Sequence, residues 1–324
     1  MIRRPPRSTH CISSAASDVY KRQLQKDLSG KIYVVTGTTS GIGLATVKQL
    51  AKQSATIICA SRNVELARKI GAEIIEETSN KNIHSLLLEL DSLDSVRDFI
   101  KVFNRKFSHL DGLVNNAAVM NTPHRRTKDG FELQFGVNFL GHFLLTELLI
   151  PKLKKAKRAR IVHTSSVLHE KGSIDLGDLN FEKKKYSGWD AYNQSKLAQV
   201  LYSRYQAKLL KSSNITSVSI HPGWVQTPLI KHTLPVFFQN VLLKPFLSMA
   251  GMTNPTIGSQ TTLHCLLDDS VANKSGCFYS QVGIYKDKES RKGGWPMKSP
   301  NSQVYDDVLC EKLFKAANSM VGIK

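Results

Sequence analysis

No Cys-x-x-Cys pair occurs in this 324-residue chain, and its five cysteines (Cys11, Cys59, Cys265, Cys277, Cys310) are scattered. That spacing argues against a disulfide framework or a zinc site and for a reducing compartment. No apolar run approaches the length of a membrane span, and no collagen-like repeat is present. Acid is scarce: 26 Asp and Glu stand against 45 Lys and Arg, a formal charge of +19. The remaining composition is ordinary, with 41% hydrophobic and 22% charged residues. It excludes a wholly disordered chain and a multi-span membrane protein, and the length suffices for a large buried core.

Three readings compete for the excess charge. A polyanion such as nucleic acid is one, and an anionic membrane surface is another. The third is a basic but otherwise ordinary enzyme with a phosphorylated ligand, which leads because many basic chains bind no polyanion.

Residues 1–23 also lack something: they have no apolar core for a secretory signal and no hydrophobic periodicity. They are basic and Ser-rich, as transit peptides are, yet they read better as translated adapter sequence. A targeting signal or membrane anchor could then have preceded Leu24. The segment carries five basic residues and one acid, so the rest of the chain still carries +15.

From Leu24 onward short apolar runs alternate with helical patterns. Strands are expected at Lys31–Thr36, Thr56–Ala60, Ile83–Leu90, Leu110–Asn115, Arg160–Ser165 and Thr216–His221. Helices are expected at Gly41–Gln53, Val64–Thr78, Ser95–Phe107, Gly130–Lys154 and Asp190–Leu210. Non-alternating apolar strands between helices mean a parallel sheet covered on both faces. The expectation is one doubly wound α/β domain over residues 24–324, a Rossmann fold.

Between the first strand and first helix lies Gly37-Thr38-Thr39-Ser40-Gly41-Ile42-Gly43. Glycines there let backbone amides approach a pyrophosphate, and a helix N-terminus adds a favourable dipole. A tight strand-to-helix turn is the plainer explanation. The second strand ends at Ala60-Ser61-Arg62-Asn63, where Arg62 could also be only a solvated arginine, and no acid occurs from Thr56 to Asn63. An acid there would hold the ribose 2′-hydroxyl of NAD, whereas arginine suits a 2′-phosphate. NADP(H) is therefore favoured, with NAD(H) left open.

Tyr192 and Lys196 stand four residues apart in a helical stretch, on one face. A phenol is a poor acid–base group at neutral pH, and a neighbouring ammonium lowers its pKa. Tyr192 is then a candidate for exchanging a proton with an alcohol or carbonyl oxygen. An exposed Tyr–Lys pair is the plainer alternative.

With these motifs in this order, the chain resembles the short-chain dehydrogenase/reductase family from Leu24 to about Tyr285. Asn115-Asn116-Ala117-Ala118 matches the motif after the fourth strand, with Ala118 where glycine is usual. Asn138 matches the helical asparagine, Ser166 the catalytic serine, and Pro222-Gly223-Trp224-Val225-Gln226-Thr227 the nicotinamide-side loop. His163 stands where asparagine is frequent, which questions one hydrogen bond. Lys128–Phe131, Asn138–Phe143 and His221–Gly223 are most similar to the retinol dehydrogenase group, which includes the X-chromosome-encoded dehydrogenase/reductase and the oxidoreductase domain of the WW-domain protein.

The resemblance implies Tyr192 as general acid–base and Lys196 as the group that lowers its pKa and holds the nicotinamide ribose. Ser166 would bind the substrate oxygen, and Asn138 would hold a water on a proton path to solvent. Gly37, Thr39, Ser40, Gly41, Ile42, Gly43, Arg62, Asp91, Asn115, Ala117, Pro222, Gly223, Val225 and Thr227 would join Tyr192 and Lys196 in binding the cofactor. Asp91 would meet the adenine; capping a helix is its other use. The implied activity is interconversion of a lipophilic alcohol and its aldehyde or ketone, of retinoid, isoprenoid or steroid class.

Leu229–Met252 is dense in apolar side chains. The resemblance implies a small helical substrate lobe over about 229–257, with a helix packing its own core as the alternative. Such a stretch suits a lipophilic substrate or a membrane interface. The 286–300 loop has no assigned role, and a closing helix is expected at Tyr305–Met320. The basic runs Lys152–Arg160 and Lys183–Lys185 lack interleaved aromatics, so nucleic acid is not the expected partner. His142, His163 and His169 lack metal-ligand spacing, and no metal site is expected. A homodimer through Phe131–Leu149 and Tyr192–Leu210, peripheral membrane association, and an intracellular place in the cytoplasm or on an endoplasmic reticulum or mitochondrial membrane complete the expectations. The competing function is a cofactor-binding regulatory or scaffold protein of the same fold with little turnover.

Overall fold

A computed structural model of the chain describes residues 25–225, 253–281 and 295–323. The leader, Cys11, Thr227, segment 229–252 of the expected lobe and loop residues 286–294 lie outside them. Seven strands form one sheet: β1 (Ile32–Thr36), β2 (Thr56–Ser61), β3 (Ile83–Leu87), β4 (Gly112–Asn115), β5 (Ala159–Thr164), β6 (Ile215–His221) and β7 (Phe278–Ser280). Their order is β3-β2-β1-β4-β5-β6-β7, and every pairing is parallel. Val34 of β1 pairs with Ile58 of β2 and Leu113 of β4.

Among the described residues seven helices cover the sheet: α1 (Gly41–Ala51), α2 (Val64–Thr78), α3 (Leu93–Lys106), α4 (Leu133–Leu153), α5 (Gly188–Leu209), α6 (Pro255–Leu267) and α7 (Asp307–Val321). Successive β1 side chains feed opposite cores. Val34 joins Ile58, Leu113 and Ile161 beneath α3, α4, α5 and α7. Val35 joins Ile57, Val114 and Val218 beneath α1 and α6. Every residue of β1, β4, β5 and β6 is buried, which explains the apolar run of β1, while β5 and β6 bury Arg, His, Thr and Ser among their apolar residues.

Several boundaries differ from the sequence expectation. α4 begins at Leu133 rather than Gly130 because Gly130 turns at φ +88° and Glu132 caps the helix through the amides of Gln134 and Phe135. α7 begins at Asp307, where Asp306 caps it after a 3₁₀ turn. β3 ends at Leu87, not Leu90. α6 and β7 were not expected. β7 spans only three residues, and α6 is weakly patterned, with three threonines among its thirteen residues.

α4 is long and apolar enough by length and composition to cross a membrane, although no single apolar run suggested it. Most of it is buried inside the fold, as a core helix is. α7 lies across α4 and α5, the helices named above as a dimer surface. Its Phe314 ring stands 5.4 Å from Phe143, 6.3 Å from Tyr202 and 5.1 Å from Tyr205.

Candidate active site

In a parallel sheet all strands end on one edge, so residues following them collect there. Gly37 follows β1, Arg62 follows β2, Asp91 lies beyond β3, Asn116 follows β4, Ser166 lies just past β5 and Pro222 follows β6.

The loop after β1 is shaped for an anion. Gly37 and Gly41 have φ of +70° and +58°, conformations that favour glycine. A Cβ on Gly37 would come within 2.9 Å of the Ala117 Cα, and one on Gly43 would meet the Gly37 carbonyl. Thr39 and Ser40 complete the turn. Ser40 is the N-cap of α1 yet makes no capping hydrogen bond. Side chains of Asn63, Ser92, Ser187, Asn254 and Asp306 do cap α2, α3, α5, α6 and α7. The first-turn amides of Gly41, Ile42 and Gly43 therefore have no capping side chain, as a pyrophosphate site requires. These residues fit a dinucleotide.

Thr36 braces the loop from behind. Its hydroxyl accepts from the amides of Asn116 and Ala117 at 2.9 Å each, and Asn116 Nδ2 donates to the Thr36 carbonyl. Asn115, expected among cofactor-binding residues, turns its side chain into the core. Its Nδ2 donates to Thr146 Oγ1 (2.8 Å) and meets His163 Nδ1 (3.2 Å). His163, which stands where asparagine is frequent, thus finds a hydrogen-bond partner in Asn115. As Nδ1 accepts there, Nε2 carries the proton toward Gln206 Oε1 (3.3 Å).

Arg62 is exposed beside this loop, and a Thr38–Ser61 hydroxyl contact of 2.8 Å ties the loop to β2. Asp91 is half-buried and is not the cap of α3, because Ser92 holds that position. On the nicotinamide side, Gly223 turns at φ +87°. The Val225 side chain is packed where a Cβ on Gly258 would fall.

α5 carries Tyr192 and Lys196 into the interior, 3% and 1% exposed, so they are not an exposed pair. The Ser166 hydroxyl stands beside the Tyr192 phenol and favours its ionised form. Lys196 Nζ donates to the Thr164 carbonyl (2.8 Å) and to Gln199 Oε1 (3.1 Å). It lies 5.7 Å from the Tyr192 ring centroid. Burial dominates both groups. It pushes the Tyr192 phenol up to about 12, against the opposing Ser166 hydroxyl, and pulls the Lys196 ammonium down to about 7. The lowering expected for Tyr192 from a lysine neighbour is thus outweighed in the chain itself.

Asn138 sits in a π-helical turn, Gly136–Leu140, within α4. Its side-chain amide donates to the Val119 carbonyl (2.9 Å) and Ser195 Oγ (3.0 Å), while Oδ1 accepts from the Val119 amide (2.9 Å). Its own carbonyl accepts from Gln199 Nε2 (2.8 Å) and meets His142 Nδ1 (3.0 Å). Both side-chain donors are spent on protein, so the expected water has only the second lone pair of Oδ1 to bind. Gln199, Ser195 and His142 were not singled out for these contacts by sequence. Their spacings held the signal: Gln199 lies three residues past Lys196, and His142 four past Asn138.

The basic run Lys152–Arg160 lies between α4 and the start of β5, on the opposite edge of the sheet. Arg158 pairs with Asp269 at 2.9 Å, and Arg160 is buried against Thr216 at 2.6 Å. Among the described residues no group of three or more His, Cys, Asp or Glu could hold a metal ion.

Residues 31–235 match the short chain dehydrogenase family. Retinol dehydrogenase 13 of Mus musculus is 37% identical over 298 residues, covering 91% of this chain and 85% of that protein. Retinol dehydrogenase 11 of Homo sapiens is 41% identical over 296 residues, covering 91% and 87%. The crystal structure of an uncharacterized protein from Mycobacterium paratuberculosis superposes with a TM-score of 0.72 at 28% identity, covering 95% of this chain and 97% of that one. The chain belongs to the short-chain dehydrogenase/reductase family, in its retinol dehydrogenase-like group, and is an NAD(P)-dependent oxidoreductase acting on CH–OH groups.

Proposed function

We propose that the protein interconverts a lipophilic alcohol and its aldehyde or ketone, of retinoid, isoprenoid or steroid class, with NADP(H). The observation that carries this reading is the meeting of half-buried Ser166 with the buried Tyr192 and Lys196. In the reducing direction Tyr192 Oη gives its proton to the carbonyl oxygen of the substrate, and Ser166 Oγ donates a hydrogen bond to that oxygen as charge develops on it. The ammonium of Lys196 stabilises the phenolate that remains. Two of its three protons are held by Thr164 and Gln199, which leaves the third for the site and its ribose. Asn138 anchors the turn to which Gln199 ties the lysine. When bound, NADP(H) supplies the hydride at the substrate carbon, or accepts it in reverse.

Arg62 and the absence of any acid from Thr56 to Asn63 support the preference for a 2′-phosphate. Gly37, Gly41, Ile42 and Gly43 line the pyrophosphate position, with Asp91 toward the adenine. Three exposed apolar side chains support a lipophilic substrate: Val167 beside Ser166, Trp189 one turn before Tyr192, and Trp224 after β6, at 44%, 43% and 52% exposure. The relatives named retinol dehydrogenases agree with that class.

Oxidation of NADPH and of NADH, followed with retinoid, isoprenoid-aldehyde, steroid and short aliphatic carbonyls, tests the reading. NADPH consumption with a lipophilic carbonyl is the expected result. Turnover confined to short polar carbonyls, or to NADH, overturns the corresponding part.

A further inference from the structure

Ser166 opens a 3₁₀ turn, Val167–Lys171, and its carbonyl is held twice by one residue. The His169 amide donates to it at 3.1 Å, and His169 Nδ1 lies 2.6 Å away. A carbonyl only accepts, so Nδ1 carries the ring proton and Nε2 is left as an acceptor in the neutral ring. Nε2 lies 2.9 Å from the Ser299 hydroxyl, which donates to it. The ring has no accessible surface and packs on Phe278 of β7, with centroids 4.7 Å apart.

Ser299 is itself fixed. It is 6% exposed, its Oγ accepts from the Asn301 amide at 3.2 Å, and its carbonyl accepts from the Tyr305 hydroxyl at 3.2 Å. Asn301 Nδ2 reaches the carbonyls of His169 and Glu170 at 3.2 Å and of Gly172 at 2.8 Å. On its other side the turn abuts α5 directly. A Cβ on Gly172 would come within 2.5 Å of the Asn193 carbonyl, one residue from Tyr192. The turn that presents Ser166 is therefore gripped between the tyrosine-bearing helix and the segment before α7.

We propose that Ser299 is a positioning residue for the reaction: through His169 it fixes the Ser166 turn and hence the placing of the Ser166 hydroxyl against the Tyr192 phenol. The proposal rests on the role given to Ser166 above. It predicts a loss in the chemical step without a loss in cofactor binding, because neither Ser299 nor His169 belongs to the dinucleotide cradle. Displacements well under 1 Å suffice to slow a step that depends on alignment.

The test uses full-length chain carrying Ser299→Ala, Ser299→Thr, Asn301→Ala or Ser166→Ala, with NADPH titrated by fluorescence and turnover read on one lipophilic carbonyl. Ser299→Ala is expected to lower kcat by about tenfold or more, with the NADPH dissociation constant within about twofold of wild type. Ser299→Thr, which keeps the hydroxyl, is expected to recover most of kcat, and Asn301→Ala to reproduce the selective loss. Full kcat in Ser299→Ala overturns the proposal, and so does a threonine variant no better than alanine. Loss of NADPH binding together with kcat in both Ser299→Ala and Asn301→Ala overturns it as well. Should Ser166→Ala keep full turnover, the role of Ser166 itself fails. An inactive Ser166→Ala beside a fully active Ser299→Ala sinks only the positioning role.

Discussion

Gln199 joins Lys196 to Asn138: its Oε1 accepts from the lysine Nζ at 3.1 Å while its Nε2 donates to the asparagine carbonyl at 2.8 Å. One side chain thus fixes the direction of the buried ammonium and ties it to the π-helical turn of α4. Gln199→Leu removes the acceptor, which disfavours the charged lysine. The expected result is a kcat lower by about tenfold, a typical cost of one lost hydrogen bond to a charged group. The fall of kcat as pH rises through about 7, where Lys196 gives up its proton, should move to lower pH. Gln199→Glu supplies a negative acceptor and should move it to higher pH. Rate profiles between pH 6 and pH 10 measure both.

Tyr192→Phe removes the phenol and leaves the ring packing intact. Turnover should fall by about 10²-fold or more, the contribution of a positioned acid–base group, while NADPH binding stays within about twofold. A variant that keeps full activity would refute the role given to Tyr192.

Arg62 is exposed, so its replacement should cost the fold nothing. Arg62→Glu should raise the KM for NADPH by about tenfold or more, in line with loss of a charge-assisted contact. The KM for NADH should stay level or improve. Steady-state kinetics with both cofactors check this.

Acid should weaken the fold through two buried rings. Burial pulls His142 down to about 3 and His163 down to about 4. Below the ordinary histidine value the unfolded chain takes up protons that these folded rings refuse. Their contribution to stability is complete above pH 6.5 and is lost as pH falls toward 4, by about 1 kcal/mol per pH unit for each ring. Urea unfolding at pH 7, 6 and 5 should give falling midpoints. In His163→Asn the fall should be shallower, whatever its stability at pH 7.

The glycine loop and the Tyr192–Lys196 pair were legible in the sequence because both are local: a strand-to-helix turn and one helix face. The sheet was legible because burial on both faces leaves unbroken apolar runs such as Tyr33–Val35. What the sequence hid is burial and distance. Spacing alone makes Lys196 a charge that lowers the Tyr192 pKa, yet both side chains are sealed in the interior and desolvation outweighs that pull. β7 is too short to read, and His169 meets Ser299 across 130 positions of chain. Asn115 carries a familiar motif but spends its side chain on Thr146 and His163.

Asn301 reaches back 129 to 132 residues to hold the carbonyls of the turn beyond Ser166. During synthesis, β1 to β7 are all made before that amide exists. Contacts of such sequence separation form late, after loop closure has been overcome. A nascent chain can therefore assemble its sheet and dinucleotide loop while the serine turn is still ungripped. Cofactor binding should precede competence for turnover as the protein is made.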